Sequence, residues 1–400
     1  MLIHIKESKW EVADIFRLYG KEYRDCHCLP PYQLKVMHAI EICRTEYLGG
    51  HREKCDNCGH EHYNYHSCRN RHCPKCQTLT KAKWLEDRKA ELLPVNYFHN
   101  VFTLPHELNP IALANKKLIY GILFKSVAET LLHFGHNPEK GLNGTLGFIA
   151  ILHTWDQKLL DHIHLHCVIP GGALSSDKSR WIPSKKDYLF NVEALSITFR
   201  GKFLDYFKKA FTEGEVILTK KTGHLEEGFR SFIKSLYKHK WVVYCKKPFA
   251  GPETVLDYVG RYTHRIALCN NRILNVQNDR VTFTYRDRKD DYKLKEETIE
   301  AHEFIRRFLI HTLPSGFMKI RHYGFLANRS KKDNLIRIRQ LLGMNPELPE
   351  QIEKKYQELM LELTGTDITK CPECKKGTMR IVERLKPLYE KAKSVNFDTS

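Results

Sequence analysis

The chain has 400 residues, enough for two or three domains with buried cores. Hydrophobic residues make up 42% of it and charged residues 28%, which excludes the apolar-poor composition of a disordered chain. Lysine and arginine outnumber aspartate and glutamate by 65 to 47, and the net charge of +18 favours a polyanionic partner such as nucleic acid, although a basic enzyme without such a partner would have the same charge.

The amino-terminal sequence MLIHIKESKWEV has neither the apolar core nor the cleavage site of a secretory signal. The longest uncharged stretches, such as LGFIAIL, are too short to span a membrane. We therefore expect a cytoplasmic protein with no membrane partner. Because that compartment is reducing, the 13 cysteines favour metal ligation over disulfide bonds.

Three regions of the chain differ in character. Residues 1–95 contain eight of the 13 cysteines, and we expect a zinc-binding domain there. Residues 96–312 mix strand-like runs with helical patterns, which predicts an α+β domain. The strand-like runs are NYFHNVFTL, TLGFIAILHTW, HIHLHCVI, KWVVYC and RVTFTYRD. The last segment of this region, 298–312, has the spacing of an amphipathic helix. Residues 313–400 are basic and mostly helical in pattern.

The first motif in chain order is a pair of Cys-x2-Cys sequences. Cys55 and Cys58 form the first pair, and Cys73 and Cys76 form the second after 14 residues. Each pair can direct two thiolates at one ion, and this separation lets the second pair complete a tetrahedral Zn²⁺ site. We therefore predict one zinc ion held by these four cysteines.

The cysteine-rich sequences offer further candidates. Arg69 and Arg71 lie between the two pairs, close to the expected metal, and are candidate contacts to phosphates or bases, with solvated loop residues as the alternative. The late pair Cys371 and Cys374 is half a zinc site, which either recruits ligands from elsewhere or binds nothing. The residues that could furnish a second ion are Cys26, Cys28, Cys43, Cys68 and His72.

A histidine-rich strand is predicted at HIHLHCVIPGG, residues 162–172. Because successive side chains of a strand point to opposite faces, His162, His164 and His166 would share one face, and the apolar residues between them would share the other. Imidazoles are common metal ligands, so this face is a candidate metal site. The alternative is that two of the histidines are ordinary polar residues on a solvated sheet face.

A predicted helix that begins near Pro252 carries Tyr258 and Tyr262 one turn apart on the same side. On their own, these two rings would indicate core packing. Together with a metal ion on the histidine strand, they are suited to cutting a phosphodiester, because a phenolic oxygen can attack phosphorus and form a 5′-phosphotyrosine that retains the bond for rejoining. Two tyrosines would permit two linked strand transfers.

These motifs together resemble a known family. The sequence HLH at 164–166 resembles the HUH motif, and Tyr258-x3-Tyr262 resembles the paired nucleophiles of the two-tyrosine HUH transposases of the insertion sequence 91 family. The segment ending SCRNRHCPKCQ is similar to that family's N-terminal zinc-binding domain, and LPSGFMKIRHYGFLAN also matches its pattern. The similarity covers roughly residues 25–375 in the family's order.

The resemblance implies a DNA transposase that nicks and rejoins single-stranded DNA, at the ends of a mobile element and in target DNA, in rolling-circle-type transposition. It implies a central antiparallel sheet flanked by helices, with the histidines on a central strand and the tyrosines on a facing helix. It also implies Mg²⁺ or Mn²⁺ at His164 and His166, and the extra His162 leaves His162 and His164 as the alternative pair. Such a cation usually has a further ligand, for which Gln157 is the first candidate, ahead of His153 and His264.

Basic and aromatic residues alternate in the segment 236–249. Lys240 could contact phosphates and Trp241 could stack on bases, as single-stranded DNA requires. A strand with aromatic core residues and solvated lysines would have the same pattern. Arg261 and Arg265, beside the two tyrosines, are candidates for gripping the scissile phosphate through their paired donors.

Other functions fit parts of the sequence. A zinc-dependent hydrolase would use the histidines at 162–166 as ligands but would not need the tyrosines. A non-catalytic zinc-ribbon DNA-binding protein would use neither set for chemistry. An HUH replication initiator would share the strand-cutting chemistry and differ only in what is done with the cut end.

Overall fold

The computed structural model describes residues 9–246, 254–255, 260, 267–348 and 356–388, without the side chains of residues 78–81 and 363–364. The helices within these ranges are α1 (Val12–Cys26), α2 (Pro31–Glu41), α3 (Pro74–Lys89), α4 (Asn109–Ala114), α5 (Lys116–His136), α6 (Val192–Thr212), α7 (Leu225–Lys238), α8 (Ala301–Ile310), α9 (Lys331–Leu341) and α10 (Tyr356–Thr364). The strands are β1 (Gly50–Cys55), β2 (Glu61–Tyr65), β3 (Tyr97–Thr103), β4 (Gly147–Trp155), β5 (Asp161–Pro170), β6 (Gly172–Leu174), β7 (Trp181–Pro183), β8 (Val243–Lys246), β9 (Ile273–Gln277), β10 (Arg280–Asp287), β11 (Lys293–Glu300), β12 (Ile320–Gly324) and β13 (Met379–Leu385).

A five-stranded antiparallel sheet in the order β12-β4-β5-β3-β8 carries the candidate site. Its middle strand is β5, the predicted histidine strand, which pairs with β4 on one side and with β3 on the other. The strand-like runs of the sequence become β3, β4, β5, β8 and β10. The predicted α+β class, with an antiparallel sheet flanked by helices and the histidines on a central strand, is confirmed.

One face of this sheet packs against helices α5 and α6 in the main apolar core. Leu165 of β5, Phe102 of β3 and Phe199 of α6 are fully buried there, and the two phenylalanine rings lie 5.3 Å apart. Helix α5 is long and apolar enough to cross a membrane by length and composition, but two thirds of that stretch is buried inside the protein. Its apolar surface is therefore accounted for by the core that it forms with the sheet.

The opposite face of the sheet has two parts. Toward the carboxyl end of β5, Val168 belongs to a small apolar cluster with Tyr97, Ile151, Val255 and, from α3, Trp84. Toward the amino end of β5, the histidines at 162–166 line an open cavity. Because residues of one strand that share a face are two positions apart, Val168 and His166 are immediate neighbours on this surface.

A second core lies between helices α1, α2 and α8 and the three-stranded sheet β11-β10-β9. The rings of Phe16 and Phe308 meet there edge to face, 5.4 Å apart. The amphipathic helix predicted over 298–312 is α8, whose apolar stripe is buried as expected. The amino-terminal helices are thus held by elements from late in the chain.

The region 313–400, predicted to be mostly helical, also supplies strands to two sheets. Strand β12 pairs antiparallel with β4 at the edge of the central sheet. Strand β13 pairs antiparallel with β1 in a three-stranded sheet of order β13-β1-β2, from Gly50 opposite Leu385 to Cys55 opposite Met379. The second pairing joins an early strand of the chain to the last described one.

Candidate active site

Three imidazoles meet on the cavity side of the central sheet. His164 and His166 project from β5, and His153 projects from the neighbouring strand β4, directly opposite His164 in the strand register. His164 Nε2 lies 3.1 Å from His153 Nδ1 and 3.0 Å from His166 Nε2. Each of the three residues is at most 6% exposed. The group, called here the histidine group, directs one nitrogen of each ring at a common point.

Contacts on the far sides of the rings fix their orientation. His164 Nδ1 donates to the backbone carbonyl of His162 at 2.7 Å, which leaves Nε2 of the neutral ring as an acceptor. His166 Nδ1 lies 2.8 Å from His99 Nε2, so His166 also turns its Nε2 toward the group. A hydrogen bond to the outer nitrogen is the usual way in which a protein orients a metal-ligating histidine.

Burial keeps the rings of His164, His166 and His99 neutral. Desolvation lowers the pKa of His164 and the pKa of His99 to about 3, and it lowers the pKa of His166 well below its ordinary value. At physiological pH the rings therefore carry a lone pair rather than a second proton. Lone pairs that converge on one point repel each other unless a cation lies between them, so the histidine group is chemically suited to hold a metal ion.

The third histidine of this group is His153, whereas the sequence favoured Gln157 as the third ligand. Gln157 lies in the turn after β4 and lines the same cavity, and its backbone carbonyl accepts a hydrogen bond from Arg272. His153 meets His164 because β4 and β5 pair in this register, which the spacing of residues along the chain does not show. His264 lies outside the described residues.

An open cavity of about 620 Å³ lies in front of the histidine group. Its cationic lining residues are Lys240, Lys246 and Arg288, and its acidic ones are Glu107 and Asp156. Arg288 comes from the turn between β10 and β11, and Lys240 is exposed just before β8. The excess of cations favours a phosphate-bearing ligand in this cavity.

The aromatic residues at the cavity differ in exposure. Tyr244 and Tyr292 are 52% and 58% exposed, so their rings can stack on bases. Trp241 is only 2% exposed, packs edge to face on Phe199, and donates its indole N–H to the carbonyl of Leu236. The prediction that Trp241 stacks on DNA is therefore wrong, because its ring is part of the main core.

The two arginines of the cysteine segment also differ. The Arg71 guanidinium donates to the backbone carbonyls of Leu313, Pro314 and Phe317. The prediction that Arg71 contacts DNA is wrong, because these donors tie the cysteine segment to the chain that follows α8. Arg69 is exposed, and its contact with DNA stays a prediction.

The predicted nucleophiles and their neighbouring arginines lie outside the described residues: Tyr258, Arg261, Tyr262 and Arg265. Residues of the same predicted helix are described on both sides of Tyr258. Val255 is 2% exposed in the apolar cluster of Val168, on the histidine side of the sheet. Gly260 faces α3 so closely that a Cβ added to it would lie 2.7 Å from Leu85 Cδ1.

Eight cysteines form two groups of four. The amino-terminal group is Cys43, Cys68, Cys73 and Cys76, and the terminal-bridging group is Cys55, Cys58, Cys371 and Cys374. The prediction that Cys55, Cys58, Cys73 and Cys76 share one ion is therefore wrong in its grouping. The Cys-x2-Cys spacing identifies each pair, but the tertiary fold decides which pairs meet, and the pairing of β1 with β13 brings the late pair to the early one.

The amino-terminal group is compact. Cys76 Sγ lies 3.6 Å from Cys43 Sγ and 3.6 Å from Cys68 Sγ. Cys73 precedes the first residue of α3, and Pro74 occupies the first turn, where its missing N–H is not needed. A metal ion at this group would fix the start of the helix that faces Gly260.

The residues of the cavity that were not predicted from the sequence include His99, Arg288 and Tyr292. His99 lies on β3, and the strand-like run NYFHNVFTL was a usable signal, because it predicts a strand that carries a histidine. Arg288 and Tyr292 lie in the turn after β10 and reach the cavity only through the packing of another sheet. Local sequence contains no signal for that approach.

Comparison with known proteins decides the family. A family model described as "Putative transposase" matches residues 147–334, and one described as "Transposase zinc-binding domain" matches residues 15–104. The chain is 49% identical over 378 residues to "Putative transposase y4qJ" of Sinorhizobium fredii (strain NBRC 101917 / NGR234), which covers 93% of this chain and 95% of that protein. The chain belongs to the insertion sequence 91 family of transposases.

The transposase is also 27% identical over 317 residues to "Transposase for insertion sequence element IS801" of Pseudomonas savastanoi pv. phaseolicola, over 78% of this chain and 74% of that protein. No solved structure matches the chain. The resemblance inferred from the motifs is confirmed, including the zinc-binding domain. The transposase is thus an enzyme that processes nucleic acid, with DNA as its partner.

Proposed function

We propose that the transposase nicks and rejoins single-stranded DNA through a 5′-phosphotyrosine intermediate, in rolling-circle-type transposition. The histidine group would hold a divalent cation, and Tyr258 and Tyr262 would be the nucleophiles. The observation that carries the proposal is the convergence of three buried imidazoles at a basic cavity, in a member of a transposase family. The DNA substrate would place the enzyme in the cytoplasm, at the nucleoid.

The described residues near the two tyrosines in the sequence support the proposal that the tyrosines reach the histidine group. Val255 packs against Val168, which is two residues from His166 on the same face of β5 and therefore about 7 Å from it along the strand. In a helix, positions 258 and 262 share the face of position 255. The helix that the sequence predicts would therefore turn both tyrosines toward the face of Val255, on the histidine side of the sheet, while Gly260 faces α3.

The chemistry follows from these roles. His153, His164 and His166 would hold a cation, which would supply electrostatic stabilisation of the negative charge that develops on the phosphate oxygens. The phenolic oxygen of one tyrosine forms a bond to phosphorus and releases its proton to solvent, while the bond to the 3′ oxygen breaks and that oxygen takes up a proton. Rejoining is the reverse reaction with another 3′ hydroxyl. The second tyrosine would hold a second strand end before the first is released.

The ligand set favours Mn²⁺ over Mg²⁺. Mg²⁺ prefers oxygen ligands in octahedral geometry and usually keeps several waters. Imidazole nitrogens suit first-row transition ions better, and the histidine group offers one nitrogen per residue. We therefore propose that Mn²⁺ supports the reaction at lower concentration than Mg²⁺ does.

Single-stranded DNA would follow the basic cavity. Lys240 and Arg288 are positioned for its phosphates, and the exposed rings of Tyr244 and Tyr292 for its bases. Arg261 and Arg265 would grip the scissile phosphate beside the nucleophiles, as the sequence predicts. The sheet would then provide the cation, and the tyrosine segment would provide the attacking oxygen, from the same side of the DNA.

A labelled single-stranded oligonucleotide that contains the terminus of the mobile element tests the proposal. The label is placed at the 3′ end, because that fragment carries the 5′ phosphate that would become attached to tyrosine. With Mn²⁺, we expect the label to migrate with the protein on a denaturing gel. Tyr258→Phe and Tyr262→Phe together should abolish this adduct, and each single variant should assign the order of attack.

The same gel separates the alternatives. A zinc-dependent hydrolase would cut the oligonucleotide without an adduct and would be unaffected by the double tyrosine variant. A non-catalytic DNA-binding protein would shift the oligonucleotide on a native gel but neither cut it nor become labelled. Either result with the terminus that the intact element uses would overturn the proposed mechanism.

A further inference from the structure

We propose that the terminal-bridging group, Cys55, Cys58, Cys371 and Cys374, binds its own Zn²⁺ and that this ion fastens the end of the chain to its amino-terminal sheet. The family's zinc-binding domain matches only residues 15–104, so two of these four ligands lie far outside it. The proposal does not depend on the strand-transfer mechanism, because none of these residues lines the histidine cavity.

The sulfur positions fit a tetrahedral ion. Cys55 Sγ lies 3.7 Å from Cys374 Sγ, and Cys58 Sγ lies 3.6 Å from Cys371 Sγ. Four sulfurs at the usual Zn–S distance of about 2.3 Å in a tetrahedron are about 3.8 Å apart. The pairs also interleave, because the first cysteine of each pair lies near the second cysteine of the other. This is the arrangement of two knuckles on one ion.

Both pairs have the backbone of a metal knuckle. The N–H of Gly59 donates to the carbonyl of Cys55, and the N–H of Lys375 donates to the carbonyl of Cys371. Gly59 and Lys375 each follow the second cysteine and have positive φ values of 74° and 55°. The same turn thus occurs twice, more than 300 residues apart, on the two sides of one sulfur cluster.

The two knuckles are also built against each other. The backbone N–H of Asp56 donates to the carbonyl of Thr378, and the Thr378 N–H donates to the Asp56 carboxylate at 2.8 Å. A Cβ added to Gly377 would lie 2.4 Å from Cys55 Sγ, so only glycine permits this approach. These contacts indicate that the two knuckles are complementary to each other and form one site.

The ion would stabilise the position of β13, which apolar packing does little to hold. Five of the seven residues of β13 are exposed, and this strand forms the edge of its sheet. Apolar burial therefore contributes little to holding it, and the strand depends on backbone hydrogen bonds to β1. A tetrathiolate ion beside Cys55 would fix the register of this pairing and anchor the last described strand of the chain.

Metal content of the purified full-length chain and of paired variants tests the proposal. We expect Cys371→Ser/Cys374→Ser to lose one zinc relative to wild type, and Cys55→Ser/Cys58→Ser to lose the same one, so that all four changes together still remove only one. Cys73→Ser/Cys76→Ser should remove a different ion. Cys26→Ser/Cys28→Ser, which changes two exposed cysteines outside both groups, is the matched control and should lose none.

Cobalt substitution distinguishes loss of one metal site from loss of zinc through misfolding. Thiolate-to-Co²⁺ absorption reports cysteine sites and is not given by the histidine group, so Cys371→Ser/Cys374→Ser should retain about half of the wild-type signal from its intact amino-terminal group. Cys374→His should keep the full metal content but shift the absorption toward a site with three sulfurs and one nitrogen. Unchanged zinc in Cys371→Ser/Cys374→Ser, loss of two ions when all four cysteines are changed, or an unchanged cobalt spectrum in Cys374→His would overturn the proposal.

Discussion

At the scale of single residues, the candidate metal site depends on which side chain completes it. The sequence favoured Gln157, and the structure brings His153 to His164. We predict that His153→Ala weakens Mn²⁺ binding more than about 100-fold, because changes that touch only the partners of a ligand already cost about 10- to 100-fold. Isothermal titration with Mn²⁺ measures this. Gln157→Ala is the control, and if it weakened binding as much as His153→Ala, the assignment of His153 would be wrong.

Trp241 and Tyr244 belong to the same basic and aromatic segment, but only Trp241 is buried. Trp241→Ala empties a position in the main core and should lower the free energy of unfolding by about 3–5 kcal/mol. Tyr244→Ala changes an exposed ring and should leave stability unchanged while weakening binding of single-stranded DNA by about 1–3 kcal/mol. Thermal unfolding and fluorescence anisotropy measure the two effects. A Tyr244→Ala variant that binds DNA normally would remove this ring from the proposed DNA surface.

At the scale of elements, helix α3 faces Gly260, which lies between Tyr258 and Tyr262 in the sequence. A methyl group at position 260 would lie 2.7 Å from Leu85 Cδ1, so either the side chain or the segment must move. We predict that Gly260→Ala slows formation of the covalent adduct several-fold and that adding Leu85→Ala restores it, because the second change removes the obstructing atoms. Gly201→Ala is the control, since that helical glycine has open space around it. Failure of the double variant to recover would mean that the contact does not position the tyrosines.

The sequence predicted individual helices and strands better than it predicted their tertiary contacts. Alternating apolar residues predicted β3, β4, β5, β8 and β10, and the spacing of α8 predicted its buried stripe, because these patterns depend on near neighbours in the chain. Pairing between distant strands has no such local signal. The partners of Cys55 and Cys58 come from β1–β13 pairing, and His153 joins His164 through the β4–β5 register. The sequence therefore identified cysteines and histidines as metal ligands, but only the tertiary structure shows which of them share one site.

At the scale of the whole molecule, the net charge of +18 predicts DNA binding that weakens with salt. Each phosphate contact on single-stranded DNA contributes about 0.7 to the slope of log affinity against log salt concentration. We predict that Lys240→Ala/Arg288→Ala lowers the magnitude of this slope by about 1.4, twice that contribution. Anisotropy titrations at several salt concentrations measure it. Lys117→Ala/Lys209→Ala, at a different recess on the surface, is the control and should change the slope much less.

The central claim is that a divalent cation on the histidine group lies within reach of a phenolic oxygen from Tyr258 or Tyr262. Anomalous diffraction from crystals of the transposase grown with Mn²⁺ and a single-stranded oligonucleotide tests it directly. We expect one Mn²⁺ peak bounded by His153, His164 and His166, with a tyrosine oxygen and a DNA phosphate beside it. A peak elsewhere, or tyrosine rings turned into the apolar cluster of Val168 and away from the cation, would contradict it.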